Sequence, residues 1–185
     1  MRWLRTPRRR IFAVVNENFL RIWLRAWALI TVVDAIFATT LPVVAYGQPL
    51  WRVWQGVASL LLGRGAIRGG VPTILFGLVM HATVALVWTS VFMVLAVLSP
   101  PLRRIVATPV GILGVAALYG PLIWIVMSLV VIPPFAHRPT TISERWWVQL
   151  LAHIPFVALP IVATIGRGLR STEGVVQARP IGEAV

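Results

Sequence analysis

Val71–Leu98 reads VPTILFGLVMHATVALVWTSVFMVLAVL. No Asp, Glu, Lys or Arg occurs between Arg68 and Arg103, and His81 is the only ionisable side chain in that gap. About twenty apolar residues cross a hydrocarbon core of roughly 30 Å, so this stretch can span a bilayer with some tilt. It carries a single histidine to membrane depth. Three stretches of the same kind accompany it, at about 26–46, 105–132 and 146–165. The expected fold class is therefore all-α: a polytopic membrane protein with four transmembrane helices, plus an interfacial or re-entrant amphipathic helix over 49–63.

Composition agrees. The chain has 185 residues, 58% of them hydrophobic and only 12% charged, against about a quarter charged in ordinary soluble domains. There is no cysteine, which excludes disulfides, thiolate zinc sites and iron–sulfur ligation. The net charge is +12, and all 17 basic residues are arginine. These arginines sit at the ends of apolar spans, where they meet anionic headgroups and set topology. No basic stripe interleaved with aromatics lies outside the spans, so nucleic acid is not an expected partner.

Residues 1–25 hold seven arginines. Over 7–25, Ile11, Val14, Val15, Phe19 and Ile22 recur near helical spacing with arginines opposite. This reads as a basic amphipathic segment on the cytoplasmic surface, with Arg5, Arg8, Arg9 and Arg10 docking on lipid or a partner. Its apolar run, Ile11–Val15, is too short for a cleavable signal. The first span follows, with Asp34 its only charged side chain. Gly47-Gln48-Pro49 then marks a turn, and Arg52, Gln55, Gly56, Ser59 and Gly63 form a narrow polar stripe on a helix that is otherwise apolar. Thr73, Gly77, His81 and Ala85 share one face of the second span. Gly111, Gly114, Ala117 and Gly120 recur every three residues in the third, a seam for close helix approach. Pro133-Pro134 should end that span. Beyond 166 the tail, 167–185, has no apolar period and reads as extended.

With the N-terminus inside, the inner side collects twelve arginines and the outer side five. The positive-inside rule then places both termini in the cytoplasm of a bacterial inner membrane.

Ionisable groups at membrane depth are costly and suggest function by default. Each span holds one polar candidate in its middle third: Asp34, His81, Tyr119 and His153. They form either a proton or cation relay or a hydrogen-bonded cluster that fixes packing. A further reading has His81 and His153 ligating a haem or chlorophyll metal. Six tryptophans (Trp23, Trp27, Trp51, Trp54, Trp146, Trp147) read as interfacial anchors, while Trp88 and Trp124 lie deeper. No phosphate-binding loop, HExxH or nucleophile elbow occurs, so no enzyme is expected and no metal site is assigned.

The pattern VWQGVASLLLG…GGVPTILFGLVMHATVALVWTSVF within Val53–Val94 is similar to a bacterial family of four-helix integral membrane proteins of unknown function. The likeness extends to VVDAIFA around Asp34 and LYGPLIWIVMSLVVIPP around Tyr119. Asp34, Gln55, Ser59, Gly63, Gly70, Gly77 and His81 are the matching positions. The resemblance implies four helices and singles out Asp34 and His81, but it implies no activity. The expected role is a non-catalytic subunit packed with other membrane protein subunits and bound lipids in a respiratory or photosynthetic complex. The alternative is a small proton- or ion-coupled transporter or channel using Asp34 and His81.

Overall fold

The computed structural model describes residues 7–177, with side chains placed for residues 17–172. Every regular element among them is helical. Helix α1 runs Pro7–Tyr46 and α2 Leu50–Leu62; a 3₁₀ turn, Arg64–Arg68, leads to α3, Gly70–Leu98. Short α4, Pro100–Ile105, connects to α5, Pro109–Val126, which continues through a π turn, Met127–Val131, into α6, Ile132–Ala136. Helix α7, Glu144–His153, passes through a second π turn, Ile154–Ala158, into α8, Leu159–Gln177. Four stretches are long and apolar enough to cross a membrane: Glu17–Tyr46, Gly70–Leu98, Pro109–Ala136 and Glu144–Thr172. The protein is an all-α polytopic membrane protein. Its surface fits that solvent, since Val110, Val44 and Leu118 project outward at 80%, 79% and 76% exposure. Water would penalise such a coat, whereas lipid tails do not.

The fourth span is the hub. It packs on α1, α3 and α5, and Ala158, Ile161, Val162 and Ile165 are fully buried along it. Ala26 and Ile30 of α1, Phe92 and Ala96 of α3, and Ala116 and Ile123 of α5 complete one apolar core.

The bundle's two ends are built differently. At the α4 end, Ser99 Oγ accepts from the Leu102 N–H at 3.3 Å and Thr108 Oγ1 from the Gly111 N–H at 3.0 Å, each ahead of a proline-bearing first turn. Both are N-caps of the usual kind. Arg103 donates to the Ala96 and Val97 carbonyls at 3.2 and 2.6 Å, satisfying acceptors that the end of α3 leaves open. At the α2 end, α2 doubles back along α3. Gly63, at φ +76°, ends α2. Gly77 admits it: a Cβ there would lie 2.0 Å from the Trp54 carbonyl oxygen.

Several boundaries differ from those the sequence suggests. The first span is not preceded by a separate surface helix, because α1 is continuous from Pro7. The Arg5, Arg8, Arg9 and Arg10 side chains, assigned to docking, lie outside the described residues. Pro133-Pro134 does not stop the third span. Prolines are tolerated in a first helical turn, and the π turn opens a new first turn at α6 that places them there. The segment from 167 is helical to Gln177 rather than extended. Its apolar residues are few but used, for Leu169 is 4% exposed. Trp54 and Trp146 are buried inside the bundle, and Trp27 donates its indole N–H to the Ala82 carbonyl at 2.9 Å. Of the seam in α5, Gly111 and Gly120 face backbone, while Gly114 faces open space.

Candidate functional site

Counted from the span midpoints at about 1.5 Å per residue, Asp34, His81 and His153 all fall a few ångströms toward the α2 end. Tyr119 falls a similar distance toward the α4 end. The side chains follow this division. Asp34 Oδ2 lies 3.8 Å from His81 Nδ1, a pair that is ionic only when the imidazole is protonated. That separation is within ion-pair reach but longer than a hydrogen bond. His153 is near enough to interact electrostatically with Asp34. One turn onward from these two, Phe37 and Phe156 stack at 4.5 Å and hold α1 against the second π turn.

Hydrogen bonding orients both imidazoles. His81 Nε2 contacts the Thr31 carbonyl at 3.2 Å. A carbonyl only accepts, so Nε2 carries the proton. The other ring nitrogen, Nδ1, faces Asp34. His153 Nδ1 donates to the Gln149 carbonyl at 2.6 Å, while its ring lies 4.9 Å from that of Trp124. Trp54 meets the His81 ring edge-on at 5.3 Å. Thus α2, seated on Gly77, covers the pair from its own end of the bundle. Gly120 brings α5 in from the other side, where a Cβ would stand 2.6 Å from the His153 carbonyl oxygen.

The structure thereby gathers three of the four polar residues. Tyr119 belongs elsewhere: its hydroxyl donates to the Trp88 carbonyl at 2.7 Å and its ring leans on Phe92 and Trp88. Both nitrogens of His81 face protein atoms, Nδ1 toward Asp34 and Nε2 toward Thr31. Among the described residues no three His, Asp or Glu side chains converge as a metal-binding group. Two members of the site are invisible to span counting, the Thr31 carbonyl and Trp54. The available signal for Trp54 was Gly77, one helical turn before His81 on the same face of α3, which leaves a gap of bulk beside the histidine.

Chemically, Asp34 and His81 set a carboxyl group and an imidazole opposite each other, outside hydrogen-bond distance, and together they can hold one proton more than a carboxylate and a neutral imidazole. The proton can sit on the carboxyl group, giving a neutral pair, or on Nδ1, giving a carboxylate and an imidazolium. Both forms carry zero net charge, so neither introduces an isolated ion into the low-dielectric interior.

Comparisons of the chain with protein-family models, with curated proteins and with solved structures find no match.

Proposed function

We propose that this protein is a small proton- or ion-coupled transporter or channel whose working group is the Asp34–His81 pair. The observation that supports this reading is the single one of His81 Nδ1 aimed at Asp34 Oδ2 across 3.8 Å at membrane depth, while Nε2 is held by Thr31. A packing cluster needs only satisfied hydrogen bonds. This pair instead sets a carboxyl group and an imidazole, each able to carry a proton, opposite one another with no hydrogen bond joining them. His153 extends it toward the fourth span and directly precedes a π turn, a feature frequent at functional sites. Both termini, on this proposal, face the cytoplasm of a bacterial inner membrane, as the arginine distribution favours.

The test is proton flux in proteoliposomes containing a pH-sensitive dye. Wild-type protein is expected to dissipate an imposed gradient, and Asp34→Asn, which keeps shape and removes the charge, to abolish this. Equal flux from protein-free, wild-type and Asp34→Asn vesicles sinks the reading.

A second reading, a non-catalytic subunit of a respiratory or photosynthetic membrane complex, is favoured by one specific feature. Gly114 and Ala117 face outward between Val110 and Leu118 on α5, a small-residue strip that lets a foreign helix approach closely. Native electrophoresis after mild extraction distinguishes the readings: migration within a large complex supports the subunit, migration as a small homogeneous species the transporter.

A further inference from the structure

One large cavity lies away from the Asp34–His81 pair. It is an open trough of about 720 Å³ between α1, α5 and α8 on the α4 end. Its walls are mostly apolar, Leu113 and Leu159 among them, and along the fourth span they run from Pro155 to Arg167, with Ser171 beyond at the mouth. Twelve residues of helix cover about 18 Å, close to one leaflet of a hydrocarbon core of roughly 30 Å. Arg25 and Arg167 both line it, as does Ser171, and no carboxylate does. Both arginines are exposed, and neither makes a hydrogen bond or ion pair with a described residue. Gly168 fixes their proximity: a Cβ there would lie 2.7 Å from Ile22, so α1 and α8 touch beside the mouth.

We infer that this trough is a binding site for an anionic phospholipid, one acyl chain lying along Leu113 and Leu159 and the headgroup phosphate held by Arg25 and Arg167. Two features carry the argument together. The apolar length fits one leaflet, which a soluble anion would not require. The two guanidiniums, which have no partner among the described residues, match an anionic headgroup in charge and, through their planar donors, in geometry. A lipid seated there would bridge the first, third and fourth spans.

The experiment is native mass spectrometry of the full chain in a delipidating detergent, with phosphatidylglycerol or phosphatidylcholine added back. Two arginines near the headgroup should favour phosphatidylglycerol by roughly thirtyfold, at about 1 kcal/mol each. Arg25→Gln/Arg167→Gln should lose that preference while keeping the phosphatidylcholine adducts. Arg64→Gln/Arg138→Gln, which removes the same charge at the α2 end, should keep the preference. Ala163→Trp, which fills the trough, should weaken both adducts. Size-exclusion profiles of all variants should match wild type. Equal preference in the Arg25/Arg167 double variant and wild type overturns the site. So does competition by glycerol phosphate as effective as by the intact lipid, which would leave a simple anion site. Should the Arg25/Arg167 variant fail to fold, retention of full lipid binding in Ala163→Trp overturns the proposal by itself.

Discussion

Thr89 and Ser128 are small hydroxyl residues buried to 0% and 2% exposure in neighbouring spans, yet they should respond in opposite ways to loss of the hydroxyl. Ser128 Oγ accepts the Trp146 indole N–H at 3.0 Å, and its carbonyl accepts from Thr140 Oγ1. Ser128→Ala strands the indole, and a buried donor left without a partner costs about 1–3 kcal/mol. The thermal midpoint in detergent should fall. Thr89 Oγ1 is buried with no partner, so its desolvation is uncompensated. Thr89→Val removes that cost at nearly constant shape, and the midpoint should hold or rise. A fall in both variants would mean that Thr89 is satisfied by a group outside the chain. Sequence alone could not separate the two residues. Each is a hydroxyl in an apolar run, and the difference arises from a cross-helix indole that only the packing supplies.

At the scale of helices, the same substitution should give different outcomes along the glycine positions. A Cβ at Gly77 meets the Trp54 carbonyl oxygen at 2.0 Å, which is backbone and cannot rotate away. Gly77→Ala should push α2 off α3, cost about 1–3 kcal/mol as overpacking does, and separate Trp54 from His81. A Cβ at Gly114 meets nothing, so Gly114→Ala should be neutral or stabilising by up to about 1 kcal/mol through helix propensity. Denaturation midpoints of the two variants check this directly. The spans themselves were legible, because hydropathy over twenty residues is a summed signal that survives local irregularity. Element ends were less so. Pro133-Pro134 reads as a stop only if the helix keeps its α register, and a π turn changes the register just before it. Asp34, His81 and His153 were legible as polar interruptions at matched depth. Tyr119 was assigned to the same cluster because counting resolves depth only to a turn or so. The two-turn offset to Trp88 needs the actual stagger of the helices.

For the molecule as a whole, the inside–outside assignment is directly testable because the chain has no native cysteine. Any single cysteine reports without background. Gly65 sits beyond α2 with open space at its Cβ, and Ser171 is exposed at the opposite end. In intact cells a membrane-impermeant maleimide should label Gly65→Cys, whereas Ser171→Cys should react only after disruption. The reverse pattern would invert the orientation that twelve arginines against five favours.

The seating of α2 on Gly77 also dictates an order of events during synthesis. Thirteen residues are too few to cross a bilayer unaided, and the surface that receives them belongs to a helix made afterwards. At about 5–20 residues per second, the ribosome takes seconds to deliver α3 after α2 has left it. During that interval Trp54 has no Gly77 to seat against. Insertion of the spans and closure over His81 are therefore separate steps, and a bulky residue at position 77 would block only the second.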